Sequence, residues 1–71
     1  MAESVYKVIT LVGTSTESWE KAANAAITMA KHSLRDLRVG RVIEQDVHIE
    51  DGQPLTYRIK LEVSFKYEGG S

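Results

Sequence analysis

Hydrophobic positions recur along residues 14–38 with the spacing of one helical face. Apolar or small side chains fall three and four residues apart, at Trp19, Ala22, Ala23, Ala26, Ile27, Ala30, Ser33, Leu34 and Leu37. This periodicity predicts a single amphipathic helix. Thr14 and Glu17 have the spacing of a capping box, which predicts that the helix begins at Thr14 and continues to Arg38. Because the apolar face is rich in alanine, we expect the helix to pack very closely against a flat surface such as a β-sheet.

Three other segments have the composition of β-strands. Residues 5–12 are rich in β-branched and aromatic side chains and carry apolar residues on both faces, so we expect both faces of that strand to be covered. Residues 39–50 form a second predicted strand, in which odd and even positions are expected to project from opposite faces. Residues 55–67 form a third, with apolar side chains at odd positions and polar ones at even positions. The Asp51-Gly52 turn signal joins the last two strands into a hairpin.

The order β-α-β-β predicts a single α+β domain over residues 1–71, with an ordered core from about residue 5 to residue 67 and a flexible tail at 68–71. We expect a three-stranded antiparallel sheet wrapped on one long helix. The predicted strands exceed the usual length of roughly five or six residues, and one helix is too narrow to cover them. The protomer is therefore expected to be completed by its neighbours.

Length and composition limit both the ways in which the chain can be stabilised and the classes of partner that it can bind. A chain of 71 residues is expected to bury only about 60% of its unfolded surface, so disulfides, a metal or oligomerisation usually stabilise it. The chain has no cysteine, so disulfides are excluded and oligomerisation is the leading means of stabilisation. The net charge of −1 gives no electrostatic basis for binding nucleic acid. No apolar run approaches the ~20 residues that span a bilayer, so we expect no membrane partner and a cytoplasmic location.

A row of polar side chains occupies even positions of the second strand, at Glu44, Asp46, His48 and Glu50. Such a row suits a divalent-cation site or an acid–base cluster. The hairpin offers a simpler interpretation, because two registers both set acidic side chains opposite basic ones. One register pairs Asp46 with Arg58 and Glu44 with Lys60. The other pairs Asp46 with Lys60 and His48 with Arg58.

The sequence lacks the residue patterns of common catalytic sites. No Ser–His–Asp or Cys–His arrangement and no phosphate-binding glycine loop is present, so we predict that the protein is not an enzyme. Trp19 is interpreted as a core anchor near the helix start, and His32 as a residue at the boundary of the apolar face.

Three segments, YKVITLVGTSTESWEKAANAAI, RVIEQD and TYRIKLEVSFK, resemble the dodecins, which are small flavin-binding proteins. The resemblance extends over about residues 5–67 and rests jointly on the VGTS turn, the alanine-rich helix and the closing LEVSF strand. It implies a β-α-β-β protomer that assembles with itself into a hollow homododecamer. It also implies storage of flavin (FMN, FAD or riboflavin) or a related small molecule, without catalysis.

Two positions depart from the flavin-binding members of that family. A Trp that stacks on the flavin ring is matched by Val39, and a Gln that hydrogen-bonds the ring edge is matched by Arg58. Gln45 is a further pocket position by resemblance. Aromatic stacking contributes about 0.5–1.5 kcal/mol beyond area burial, so its loss predicts a weakened flavin affinity. Arg38 and Arg41, together with Arg58, would favour an anionic ligand.

The RVIEQD and TYRIKLEVSFK segments are most similar to a dodecin subgroup described as calcium-binding. This implies an alternative function, a calcium-binding or purely structural dodecameric shell that does not bind flavin. The candidate ligands are the oxygen-bearing side chains of Glu44, Asp46 and Glu50. Because calcium prefers six to eight oxygen ligands, such a site would be shared between subunits or completed by water.

Overall fold

The computed structural model describes residues 3–67 and has the predicted element order. Strand β1 spans Tyr6–Ser15, helix α1 Trp19–Ser33, strand β2 Leu37–His48 and strand β3 Thr56–Lys66. The strands form one antiparallel sheet in the order β1-β3-β2, so the last strand of the chain lies at the centre. The predicted fold class and the β2–β3 hairpin are confirmed. The predicted tail at 68–71 lies outside the described residues.

The start of the helix differs from the prediction. Strand β1 continues past Gly13, and Thr14 pairs with Arg58 of β3 instead of starting the helix. The hydroxyl of Ser18 caps the helix by accepting a hydrogen bond from the backbone N–H of Lys21 at 3.0 Å. The predicted capping box at Thr14 is therefore wrong, because sheet pairing holds that residue in an extended conformation. Ser18 supplies the same hydroxyl chemistry where the chain leaves the sheet.

The helix also ends earlier than predicted, at Ser33 and not at Arg38. Leu34 adopts an extended conformation, and Asp36 has a φ of 57° in the left-handed region. Aspartate tolerates that region better than most residues. The two residues turn the chain, so that Leu37 and Arg38 already belong to β2.

The core is formed by the alanine face of α1 and the centre of β3. The buried residues of this core are Ala22, Ala26, Ala30, Ile59, Leu61 and Val63. The predicted close approach of the helix is visible at Gly13 of β1. A Cβ atom at Gly13 would overlap the carbonyl oxygen of Ala22 and lie 3.0 Å from the Cβ of Ala26. The glycine therefore allows backbone contact between β1 and α1.

The side chains of strand β2 do not alternate regularly between the two faces of the sheet along its length. Its register with β3 shifts at Arg38 and again at Ile43, two bulges that each insert one unpaired residue. Each insertion reverses the relation between residue parity and sheet face. Val39 and Arg41 consequently lie on the same face as Glu44. The predicted separation of odd from even positions along the whole strand is wrong for this reason.

One chain leaves much of its apolar surface uncovered. Its radius of gyration is 14.8 Å, whereas a compact domain of this length has about 11 Å. On β1, Val8 and Val12 are 55% and 59% exposed, so a single chain does not provide the predicted cover on both faces of that strand. Within residues 3–67, α1 is neither long nor apolar enough to cross a membrane.

Candidate functional site

The face of the sheet that points away from α1, here called the outer face, carries most of the candidate residues. Directly opposed residues of neighbouring strands project from the same face, so the register defines its members. Strand β3 contributes Thr56, Arg58, Lys60, Glu62, Ser64 and Lys66, β1 contributes Tyr6, Val8, Thr10, Val12 and Thr14, and β2 contributes Val39, Arg41, Glu44, Asp46 and His48. Charged and apolar side chains are thus mixed on one exposed surface.

Asp46 and Arg58 form a two-point ion pair on the outer face. Arg58 donates from Nε to Oδ1 of Asp46 at 2.7 Å and from Nη2 to Oδ2 at 2.9 Å. The hydrogen bond from Arg58 lowers the pKa of Asp46 below its ordinary value of 3.8. The same bond raises the pKa of Arg58. Of the two registers predicted for the hairpin, the one that pairs Asp46 with Arg58 is confirmed.

This ion pair lines a concavity of about 230 Å³ on the outer face. The other lining residues are Val12, Glu44 and Lys60, and the register sets Glu44 opposite Lys60. Two acidic and two basic side chains therefore surround an apolar wall, and their charges balance. Neither Lys60 nor Val12 was a predicted site residue. The alternation of β3, which sets Lys60 two positions from Arg58, was the signal available for Lys60.

Trp19 connects the start of α1 to the same region of β2. Its indole Nε1 donates a hydrogen bond to the backbone carbonyl of Asp46 at 3.1 Å. Its ring packs edge-to-face on Tyr57, with the ring centroids 5.1 Å apart. Trp19 is 37% exposed, so it is not the buried core anchor that was predicted. It fixes the backbone that carries the Asp46 carboxylate.

The positions assigned to a flavin pocket by resemblance do not meet within one chain. Val39 is 60% exposed on the outer face opposite Ser64. Arg58 lies six residues before Ser64 in β3, or about 20 Å away at about 3.3 Å per residue. Gln45 is paired with Ile59 and therefore projects from the face that carries α1. A pocket made of all three positions would need more than one chain, and their role stays a prediction.

The other two arginines lie apart from the concavity. Arg41 is on the outer face opposite Glu62. Arg38 sits at the first bulge of β2, with Nη2 4.0 Å from Oδ1 of Asp36. Both side chains have acidic neighbours, and their proposed contact with an anionic ligand stays a prediction.

The candidate calcium ligands are only partly brought together. Glu44 and Asp46 are neighbours on the outer face, whereas Glu50 lies beyond the end of β2. Oε1 of Glu50 is 3.4 Å from Nε2 of His48. Across residues 3–67, no three histidine or acidic side chains converge in a geometry that could hold a metal ion. A calcium site at these residues would need oxygen ligands from outside one chain.

Comparison with known proteins assigns the family. A dodecin family model matches residues 5–68. The calcium dodecin of Mycobacterium tuberculosis is 59% identical over 63 residues, which is 89% of each chain. A crystal structure of that protein, described as calcium-chelating, superposes with a TM-score of 0.85 at 54% identity and covers 96% of this chain and 97% of its own.

A second solved structure supports the same assignment. The dodecin of Streptomyces coelicolor has a TM-score of 0.90 at 33% identity, and the match covers 99% of this chain and all of that one. The resemblance seen in the VGTS turn, the alanine-rich helix and the LEVSF strand is therefore confirmed over nearly the whole chain. This protein belongs to the dodecin family.

Proposed function

We propose that this protein is a binding and storage protein, not an enzyme, and that it acts as a hollow homododecamer with a weakened affinity for flavin. The observation that carries the proposal is the outer face of the sheet. Val12 lines the charged concavity, and Val8 and Val39 are exposed elsewhere on the same face, so this face combines apolar surface with polar groups as small-molecule sites do. Neighbouring copies would cover this surface and supply the remaining walls of a pocket.

The weakened affinity follows from two side chains. Val39, which is 60% exposed on the outer face of one chain, has no aromatic ring to stack on a flavin. Arg58 is held by Asp46 and offers neither the neutral acceptor nor the neutral donor of a glutamine amide. Flavin would then be held mainly by apolar contact and by the polar groups that remain free.

The test is a riboflavin fluorescence titration of the assembled protein, with native mass spectrometry to count subunits. We expect weak quenching by the wild-type protein and strong quenching by the double variant Val39→Trp with Arg58→Gln. Val42→Trp is the matched control, because Val42 is a comparably exposed valine of β2 that projects from the opposite face. A correctly assembled double variant that quenches no better than Val42→Trp would contradict the flavin proposal. A monomeric mass would contradict the shell.

Calcium is the second candidate ligand. Its support is the 59% identity to the calcium dodecin of M. tuberculosis, together with the adjacent carboxylates of Glu44 and Asp46. Because one chain supplies too few oxygen atoms, the ion would be bound between copies. Calcium should then raise the melting temperature of the assembly, and EGTA should reverse the effect. Glu44→Gln should abolish this response while Glu20→Gln, a change of the same kind on α1, should not. An equal response in the two variants would exclude Glu44 as a ligand.

A further inference from the structure

The concavity on the outer face already contains an anion, the carboxylate of Asp46. The Nε and Nη2 hydrogen bonds from Arg58 have the fork geometry with which arginine binds free carboxylates and phosphates. Asp46 therefore occupies the position that an anionic group of a ligand would take. The concavity of about 230 Å³ is smaller than the ~300–1,000 Å³ of a complete ligand pocket, so it suits one part of a ligand.

The Asp46 carboxylate is held in this position from two sides. Arg58 binds both of its oxygen atoms, and Trp19 binds the backbone carbonyl of the same residue at 3.1 Å. The side chains remain about half exposed, at 47% for Arg58 and 53% for Asp46. The pair is thus held by hydrogen bonds but accessible to solvent, and a competing anion can reach the guanidinium.

We infer that Asp46 sets the charge specificity of this concavity by acting as a built-in competitor for Arg58. A neutral group enters beside Val12 without disturbing the ion pair. A phosphate or carboxylate group can bind Arg58 only by displacing the Asp46 carboxylate. The attraction of Lys60 for such a group is offset by the acidic Glu44, which lies opposite Lys60. Where the ligand is a flavin, the inference rests on the proposed function and assigns a preference for riboflavin over its phosphate, FMN.

The first experiment uses pyrophosphate alone as the anionic probe, titrated calorimetrically into the assembled protein. Asp46→Asn should raise the pyrophosphate affinity about fivefold, since an exposed ion pair of this kind is worth only a small factor. Asp51→Asn is the matched control. It removes the same charge from the turn between β2 and β3 and should change the affinity less than about twofold. Adding Arg58→Gln to Asp46→Asn should abolish the gain, because the gain depends on the released guanidinium.

The second experiment compares riboflavin with FMN, which differ by one phosphate. Asp46→Asn should raise the ratio of FMN affinity to riboflavin affinity by the same factor, about fivefold. If no variant binds either flavin but pyrophosphate still distinguishes Asp46→Asn from Asp51→Asn, the flavin proposal fails and the inference stands. Equal pyrophosphate affinity in wild type, Asp46→Asn and Asp51→Asn would overturn the inference. Asp46→Ser provides the same comparison if the asparagine variant does not assemble.

Discussion

Replacement of Gly13 by alanine tests the closest contact in the fold. The added methyl group would overlap the Ala22 carbonyl oxygen and lie 3.0 Å from both the carbonyl carbon of that residue and the Cβ of Ala26. Carbon atoms in favourable contact are about 3.5–4.0 Å apart. Helix α1 would therefore have to move away from β1 by at least about 0.5–1 Å, which also disturbs its contacts with the core.

The expected loss of stability follows from two opposing effects. Overpacking of a core costs about 1–3 kcal/mol, and the upper part of that range applies because the methyl group meets backbone and not a flexible side chain. Replacing glycine restricts the unfolded chain, which favours the folded state by about 0.4–1 kcal/mol. The free energy of unfolding should accordingly fall by about 2 kcal/mol.

Gly40 on β2 provides the matched control. An alanine Cβ there would lie 3.6 Å from Cδ1 of Ile27, an ordinary contact, so the variant should be as stable as wild type or more stable by up to about 1 kcal/mol. Urea unfolding followed by the fluorescence of Trp19, the single tryptophan, measures both variants. Protein concentration must be fixed, because assembly contributes to apparent stability. Equal stability of Gly13→Ala and Gly40→Ala would refute the backbone contact between α1 and β1.

Three further predictions concern the core, the hairpin turn and the outer face. Leu61→Ala removes three carbon groups from a side chain that is 1% exposed, which with the resulting cavity should cost about 3 kcal/mol in urea unfolding; a loss below about 1 kcal/mol would contradict its central position. Gly52 has a φ of 78° and open space around it, so Gly52→Ala should lower stability by about 1 kcal/mol through backbone strain, and Gly52→Asn by less. The hydrogen bond from Arg58 lowers the pKa of Asp46 in the folded protein below the ordinary value of 3.8. The ion pair therefore stabilises the fold fully at pH values well above 3.8, and this stabilisation is lost as the pH falls through the lower pKa of the folded state. The difference in melting temperature between wild type and Asp46→Asn should therefore persist at neutral pH and disappear in acid; a difference that survives in strong acid would exclude this ion pair as its source.

The periodicity of apolar residues predicted the helix and strands well, because a helix buries residues about once per turn and a half-buried strand buries every second residue. The spacing of Ala22, Ala26 and Ala30 identified the packed face of α1, and the alternation of β3 placed Ile59, Leu61 and Val63 on its apolar face. These positions are buried, whereas Leu55 and Tyr67 at the two ends of the same predicted face are exposed. Their pattern depends on the geometry of one element and not on which element packs against it.

The predicted helix start and the predicted faces of β2 were wrong because contacts with β3 determine both. Thr14 and Ser18 are both suitable helix caps, and only the pairing of Thr14 with Arg58 in the sheet excludes the first. The bulge at Ile43 carries no marker residue, so the reversal of faces along β2 was not predictable from alternation.

The candidate site was predictable only as a set of alternatives. Cross-strand charge complementarity limited the partners of Asp46 to Arg58 or Lys60, but the register depends on how the turn around Gly52 is built. The bond from Trp19 to the Asp46 carbonyl joins residues 27 positions apart, and a backbone carbonyl has no signature in the sequence. A site shared between several chains leaves no spacing pattern in the sequence of one chain.

The central position of β3 has a consequence for the order in which the fold is assembled. Both β1 and β2 hydrogen-bond to β3 and not to each other, and β3 is the last strand of the described chain. During synthesis the first two strands therefore remain without a partner until the segment Thr56–Lys66 has left the ribosome. The sheet forms in one late step that closes a contact between distant parts of the chain, which is slow relative to local helix formation. A truncation that removes β3 would leave two strands with unpaired backbone edges and partly apolar side chains, which are prone to aggregate.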